Sequence, residues 1–201
     1  MFLTKLKALD EYLIKALIKD WIQEFKSSAN ASVLFILRKS DELWFCIDYH
    51  ALNVMMIKNC YSLSLINKLL DWLDNSVMFL KINLWNTYHH ICICKEDEWK
   101  TVFHTQYDYF EFLVVLFDLT NISAIFQVYI NCALHELVDN FCIIYLDDIL
   151  IFSRTEAEHF CHLEHMIECL QCVKLYVNLK KCEFFKTEVE YLDFVIDKES
   201  I

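Results

Sequence analysis

The segment Tyr145-Leu146-Asp147-Asp148 stands between two apolar runs, residues 141–144 and 149–152. The apolar runs predict two buried strands, so the two aspartates would lie in the turn of a β-hairpin. Burying a carboxylate without a partner is costly, and carboxylate oxygens are the ligands that Mg²⁺ prefers. We therefore expect this turn to bind a divalent cation. The alternative is a solvated Asp-Asp turn, because aspartate favours turns.

A second group of metal-ligating residue types lies on the helix predicted after this hairpin. Its members are Cys161, His162, His165, Cys169 and Cys172. Cys161 and Cys169 would be ~12 Å apart along the helix axis at a rise of 1.5 Å per residue. Zinc requires all its ligands within ~2.3 Å of one point. We therefore predict no zinc site, and we expect the histidines of this stretch, His159 included, on the helix surface.

The predicted elements alternate between helices and antiparallel hairpins, which is typical of an α+β fold. Helices are predicted at residues 3–25, 64–74, 120–138 and 156–173, the last opened by the capping box Thr155-Glu-Ala-Glu158. Strands are predicted at residues 33–37, 43–49, 77–84, 91–94, 101–104, 109–115, 141–144, 149–152, 175–179 and 189–196.

Composition limits the class of protein. The chain has 201 residues, a formal net charge of −11 and ten cysteines, but no glycine and no proline. Average usage would give about 14 glycines and about 10 prolines, so both were removed systematically. The charge argues against tight binding of phosphate backbones. No apolar run reaches 18 residues and the first residues do not resemble a secretory signal, so we expect an intracellular protein with reduced thiols, cytoplasmic or nuclear, and no membrane partner.

An ordered series of segments resembles the reverse transcriptase domain of LTR retrotransposon polyproteins, the gypsy type in particular. The resemblance runs from about Leu9 to Ile201. The segments that carry it are Val33-Leu-Phe-Ile-Leu-Arg-Lys, Cys46-Ile-Asp-Tyr-His-Ala-Leu-Asn53, Ile57-Lys-Asn-Cys-Tyr-Ser-Leu, Phe79-Leu-Lys-Ile-Asn-Leu, Tyr88-His-His-Ile, Glu98-Trp-Lys-Thr-Val-Phe-His-Thr, Phe117-Asp-Leu-Thr-Asn, Tyr145-Leu-Asp-Asp-Ile-Leu-Ile-Phe-Ser153 and Lys181-Cys-Glu-Phe. One such motif is weak evidence, whereas nine in the same order are specific.

The resemblance implies a fingers-and-palm polymerase fold, with residues 1–30 a helical lead-in, residues 31–201 the fingers and palm, and the thumb absent. It implies RNA-directed DNA polymerase activity: two Mg²⁺ ions promote in-line transfer of a nucleotide from an incoming triphosphate to a primer 3′-hydroxyl on an RNA or DNA template. Asp147 and Asp148 match two of the three metal-binding aspartates. Tyr88 matches the aromatic residue beneath the incoming sugar, and Arg38 and Lys39 match a basic contact to the triphosphate. The parent polyprotein would also carry RNase H and integrase segments.

Several positions depart from the family pattern. The third metal-binding aspartate falls on Asn83, and the fingers arginine that pairs with triphosphate oxygens falls on Trp44. Family arginine, glycine and Ala-Pro positions fall on His50, Asp118 and Ile122-Ser123. We therefore expect the polymerase activity to be lost. The alternatives are an active polymerase domain and a non-catalytic remnant that still binds nucleic acid or protein.

These departures share one genetic signature. Asp→Asn, Gly→Asp, Arg→Trp, Arg→His and Pro→Ser are each reachable by a C-to-T or G-to-A transition. Every glycine codon begins with two G's and every proline codon with two C's, so heavy transition pressure removes both residue types first. We therefore predict a transition-mutated, decayed retroelement copy. A deliberately glycine- and proline-free sequence is the rival interpretation.

Overall fold

The computed structural model describes residues 2–25, 30–37, 43–61, 73, 76–85, 87–106, 108–138 and 140–197. The chain divides into two compact units, residues 1–58 with 88–122, and residues 59–87 with 123–201. The domain boundary expected at residue 30 stays a prediction. Among the helices of the described ranges, none combines the length and the apolar character needed to cross a membrane.

Within the described ranges, the helices are α1 Phe2–Ile18, α2 His50–Met55, α3 Ile122–Ala133 and α4 Glu156–Cys172. The strands are β1 Ile22–Glu24, β2 Ala31–Leu37, β3 Leu43–Ile47, β4 Met78–Trp85, β5 Phe103–His104, β6 Tyr109–Phe112, β7 Cys142–Tyr145, β8 Asp148–Ser153, β9 Tyr176–Val177, β10 Glu183–Lys186, β11 Glu188–Tyr191 and β12 Phe194–Asp197. Short 3-10 turns span Thr87–His90, Glu98–Thr101 and Leu179–Lys181. The mixture of helices with mainly antiparallel strands agrees with the α+β class.

The first unit is a five-stranded sheet with α1 and α2. Its strand order is β1-β6-β5-β2-β3, and only the β2–β5 pair is parallel. Helix α1 buries Leu9, Leu13 and Ala16, which lie on one face at helical spacing. The sheet contributes Phe103 and Phe112, both fully buried, and their rings contact each other. Helix α1 and the buried sheet residues thus form the core of this unit.

The second unit holds the aspartate turn. Its sheet has the order β10-β4-β8-β7, β9 pairs with the end of β4, and β11 and β12 form a separate hairpin. Strands β4 and β8 are paired from Met78–Ser153 to Asn83–Asp148. Residues 149–152 of β8 are all buried, as expected for a central strand with an unbroken apolar run. Two central strands, β8 buried along residues 149–153 and β4 only partly buried, therefore position the aspartate turn.

Most predicted elements are present with shorter bounds, and three predictions are wrong. The first helix ends at Ile18, and residues predicted to extend it form β1 instead. Residues 91–94 make only a single bridge, Cys92 to Val114, rather than a strand. Residues 189–196 form the β11–β12 hairpin rather than one strand. The helix predicted at residues 64–74 lies outside the described residues, except for one position.

The β11–β12 hairpin contains two residues in a conformation that suits glycine. Its two-residue loop, Leu192-Asp193, has φ values of 53° and 66°. Positive φ at both positions is the signature of a type I′ turn, in which Asn-Gly is strongly preferred. In a chain without glycine this turn carries no sequence signal, which explains why the strand was predicted to continue. The resemblance places Asp108 and Asp118 at turn positions where the family uses glycine, but neither residue has a positive φ.

We expect the Leu192→Asn, Asp193→Gly variant to raise the free energy of unfolding by about 1–2 kcal/mol, because asparagine and glycine adopt the left-handed conformation of this turn at lower cost. Chemical denaturation monitored by circular dichroism measures the change. Asp108→Gly is the matched control. Glycine relieves no positive φ at this position and only raises the conformational entropy of the unfolded chain. If both variants changed the free energy of unfolding equally, the claim that the Leu192-Asp193 turn is strained would be contradicted.

The expectation of surface histidines on α4 is wrong for His159. This side chain is fully buried, and its Nδ1 lies 2.8 Å from Ser153 Oγ. His162 Nδ1 lies at the same distance from the same oxygen, and its ring stacks on Phe141 at 4.0 Å. Since the serine carries one hydroxyl proton, one imidazole accepts it and the other donates to the oxygen. Only His165 is exposed, as predicted.

This buried cluster should make the protein sensitive to acid. Burial, and then the charge of the other imidazole, lower the pKa of His159; burial is also the main cause of the lowered pKa of His162. When the folded pKa lies below the unfolded one, the unfolded chain binds more protons, so stability is lost as the pH falls below about 6.5.

We expect the free energy of unfolding to fall between pH 7 and pH 5 by as much as about 1.4 kcal/mol per pH unit for each proton taken up. Urea denaturation across this range measures the slope. A Ser153→Ala, His159→Leu variant should reduce this slope, and the remainder would come from His89 and His90, whose pKa values burial also lowers. Replacing the exposed His50 by glutamine is the control and should leave the slope unchanged. A double variant with the wild-type slope would contradict the assignment.

Candidate active site

The aspartate turn is a tight hairpin loop at the end of two buried strands. Tyr145 of β7 pairs with Asp148 of β8, so Leu146 and Asp147 form a two-residue loop. Leu146 has a φ of 52°, an uncommon value for a branched residue. Such conformations persist where the surrounding structure over-determines them, and they cluster at functional sites. The loop therefore presents both aspartates in one fixed, strained arrangement.

Strand β4 brings Asn83 to this loop. Asn83 is the direct cross-strand partner of Asp148 in the β4–β8 pair. Its side-chain Nδ2 donates a hydrogen bond of 2.8 Å to Asp148 Oδ1. An ionised carboxylate only accepts, so the amide must turn its nitrogen toward it. The structure thus brings together the three residues that sequence reasoning assigned to one metal centre.

Thr87 completes the polar contacts of the loop and was missed by sequence reasoning. Its Oγ1 donates a hydrogen bond of 2.7 Å to Asp147 Oδ1, and its side chain is 1% exposed. The backbone N–H of Leu84 also donates to the carbonyl of Asp147, at 2.8 Å. Each aspartate side chain therefore receives a hydrogen bond from a neutral donor at or just beyond the end of β4.

Gln127 of α3 stabilises the aspartate turn through two hydrogen bonds to its backbone, and the sequence analysis did not predict this role. Its Oε1 accepts the backbone N–H of Leu146 at 2.8 Å, and its Nε2 donates to the carbonyl of Ile144 at 3.2 Å. Asn131, one turn later, accepts a second bond from Nε2 at 3.0 Å. The side chain is 3% exposed. The one sequence signal was a glutamine inside an otherwise mainly apolar helix.

The β11–β12 hairpin also contacts the loop. The Tyr191 hydroxyl donates to the backbone carbonyl of Asp148 at 3.1 Å. Burial, and then the Asp148 charge, raise the pKa of this phenol, so it stays protonated and available as a donor. On the same hairpin, the Glu190 carbonyl accepts a bond of 2.7 Å from Lys81 Nζ of β4. The hairpin is therefore fixed to β4 and β8 by two polar contacts.

The predicted nucleotide-binding residues belong to the first unit or lie outside the described residues. Tyr88 is 5% exposed, and its ring meets the exposed ring of Phe117 edge-on at 4.2 Å. Trp44 lies on β3 opposite Ile36, although its side chain is outside the described set. Arg38 and Lys39 lie outside the described residues altogether. Their roles in nucleotide binding stay predictions.

The donor set at the loop does not fit the cation pair that the resemblance implies. A two-metal centre needs carboxylates that neutralise and bridge both ions. Here an uncharged amide takes the third position, and its NH₂ group, which cannot ligate a cation, faces Asp148. Across the described parts of the chain, no cluster of three or more His, Cys, Asp or Glu side chains is arranged to hold a metal ion.

Comparison with known proteins extends these observations. Residues 37–196 match the family described as "Reverse transcriptase (RNA-dependent DNA polymerase)". The chain is 33% identical over 195 residues to the Transposon Tf2-3 polyprotein of Schizosaccharomyces pombe, and 32% identical to the Tf2-7 polyprotein. Each match covers 97% of the chain but only 15% of the relative's length.

Solved structures of foamy viral protease-reverse transcriptase share the fold. One, in complex with dsDNA, matches with a TM-score of 0.86 and 21% identity over 96% of this chain and 40% of that one. Another, in complex with an RNA/DNA hybrid, matches with a TM-score of 0.83 and 21% identity over 96% of this chain and 26% of that one. These matches confirm the predicted α+β, reverse transcriptase-like fold.

Proposed function

The chain belongs to the reverse transcriptase (RNA-dependent DNA polymerase) family, and from that premise we propose that it is the polymerase domain of a gypsy-type retrotransposon polyprotein whose catalytic centre no longer works. The chain spans about 15% of the length of its curated relatives. The parent polyprotein that we propose would also carry an RNase H and an integrase segment. One observation carries the proposal: the Asn83 amide donates to Asp148 where the family has a carboxylate.

The physical argument concerns charge. Joining a primer 3′-hydroxyl to a nucleoside triphosphate develops negative charge on the attacking, transferred and leaving oxygens, and divalent cations supply its neutralisation in this family. An amide brings no charge and cannot bridge two cations. Losing several kcal/mol of such stabilisation lowers turnover by several orders of magnitude. Asp147 and Asp148 alone leave the reaction without sufficient neutralisation.

Nucleotide binding would be weakened independently. Trp44 takes the position of the family arginine that pairs with triphosphate oxygens, and it offers no charge. We assign Arg38 and Lys39 as the remaining basic contact to the triphosphate, and Tyr88 as the residue beneath the sugar. The ring of Phe117 against Tyr88 supports this assignment, because it holds the tyrosine in one orientation.

The test is primer extension by the wild-type chain on RNA and DNA templates with Mg²⁺ or Mn²⁺. We expect no extension above the level of buffer without protein. Extension above that level would contradict the proposal. The double variant that restores both charged groups is considered in the Discussion.

A non-catalytic binding remnant is the second candidate, supported by relatives solved with dsDNA and with an RNA/DNA hybrid. The net charge of −11 argues against it, because neutralising phosphates requires lysines and arginines. A gel-shift titration of a primer–template duplex at moderate salt separates the two candidates. We expect no tight complex, and a shift that weakens with added salt would favour the remnant.

The coding DNA decides whether the chain is a decayed copy. Transition pressure accounts for the absence of glycine and proline as well as for Asn83, Trp44 and His50. We expect an AT-rich gene in which family codons are restored almost wholly by reversing transitions. Abundant transversions at these positions would contradict the decay.

A further inference from the structure

We propose that the residues of the former cation pocket now act as a metal-independent structural anchor of the second unit, with Thr87 and Tyr191 as its holding residues. This inference rests on the proposed loss of cation binding. It assigns Asp147 and Asp148 the opposite energetic role from the one they have in a metal centre. Carboxylates gathered to bind cations repel one another, so active sites usually cost stability.

The first contact of the anchor joins two adjacent strands. Asn83 and Asp148 face each other across the β4–β8 pair, and the amide donates to the carboxylate at 2.8 Å. With aspartate at position 83, two acceptor-only groups would face each other at this distance. The amide therefore converts a repulsive pair into an attractive one without a cation.

The second contact fixes the loop to the residues after β4. Thr87 Oγ1 donates to Asp147 Oδ1 at 2.7 Å, and the Leu84 N–H donates to the carbonyl of the same aspartate. The threonine is 1% exposed, so its hydroxyl has little access to water. Hydrogen bonds to charged acceptors are about twice as strong as neutral ones. Removing either side chain at this contact should therefore weaken the fold.

The third contact brings in the β11–β12 hairpin. The Tyr191 hydroxyl donates to the Asp148 carbonyl, and the tyrosine ring is 3% exposed in a core that includes Val189 and Ile196. The buried ring of Tyr191 therefore fixes the position from which its hydroxyl contacts the loop. The three contacts link β4, the β7–β8 loop and the hairpin through the two aspartates.

Thermal unfolding of the whole chain tests the anchor. We expect Thr87→Val, Asp147→Ala and Tyr191→Phe each to lower the midpoint temperature by about 3–6 °C. Thr120→Val and Tyr109→Phe, at exposed positions, are the matched controls and should shift it by less than about 1 °C. Thr87→Val and Tyr191→Phe keep nearly the same shape, so a failure to fold is not expected. Combining Thr87→Val with Asp147→Ala should cost less than the sum of the two, because both remove one contact.

Millimolar Mg²⁺ in place of EDTA should leave the wild-type midpoint unchanged. A wild-type midpoint that rises with Mg²⁺ would overturn the proposed anchor. So would Thr87→Val and Asp147→Ala variants whose midpoints are equal to or higher than that of the wild type. Primer extension by the wild type with midpoints as expected would instead refute the proposed loss of activity and leave the anchor standing. The two failures are therefore distinguishable.

Discussion

A Trp44→Arg, Asn83→Asp double variant should extend a primer in Mg²⁺ at least about a thousandfold faster than the background level expected of the wild-type chain. The aspartate places a third carboxylate directly opposite Asp148, where strand pairing already holds the position. The arginine returns a guanidinium to β3, where the family pairs it with triphosphate oxygens. A thousandfold change corresponds to about 4 kcal/mol of transition-state stabilisation, a modest share of what cations and an arginine supply in phosphoryl transfer.

Extension of an end-labelled primer on RNA and DNA templates measures this effect. Adding Asp148→Asn to the double variant is the control, and it should return the rate to the wild-type level. The Asn83→Asp change also removes the donor to Asp148, so the folded double variant should gain stability from Mg²⁺ where the wild type does not. Equal rates for the wild-type and double-variant chains would contradict the account of the lost activity.

Gln127→Leu should lower the free energy of unfolding by about 2–4 kcal/mol, the largest stability effect we expect from one polar side chain. The change removes the acceptor of the Leu146 N–H and one donor to the Ile144 carbonyl, where Ile144 is buried and Leu146 is half-buried. Leu146 is also the strained residue of the loop, so its bond to Gln127 helps to hold an unfavourable conformation.

Urea denaturation measures the free energy of unfolding of the Gln127→Leu variant, and the Gln171→Leu variant is the control. Gln171 is exposed on α4, so replacing it should change stability by less than about 0.5 kcal/mol. Gln127→Glu separates the two bonds, because a carboxylate still accepts from the Leu146 N–H but no longer donates to Ile144. If Gln127→Leu is as stable as the wild type, the carboxamide does not support the loop.

The loop itself was predictable because its chemistry lies in residue types and their order. Two acidic residues between unbroken apolar runs predict a hairpin whose tip is polar, and β7 and β8 have that arrangement. The resemblance placed Asn83 beside the aspartates, and the strand register agrees. These predictions depended on short-range patterns and on an ordered series of motifs, both of which a single sequence contains.

Gln127, the burial of His159 and the turn at Leu192-Asp193 could not be predicted from the sequence, for physical reasons. Helix α3 is apolar around most of its circumference, so periodicity does not show which face carries Gln127. His159 was assigned to the surface because its residue type is polar, yet it lies on the face of α4 that buries Met166 and Leu170. At Leu192-Asp193, absence of glycine removed the usual signal for a type I′ turn. Tertiary packing therefore decided the positions of Gln127 and His159, whereas the turn was missed because its residues carry no local signal.

Crystals of the wild-type chain grown with Mn²⁺ and an incoming nucleotide give the most direct test, through anomalous scattering from manganese. We predict no ordered manganese within coordinating distance of the Asp147 and Asp148 carboxylates, with the Asn83 amide still donating to Asp148. Two fully occupied manganese ions about 3.5–4 Å apart at these carboxylates would contradict the account.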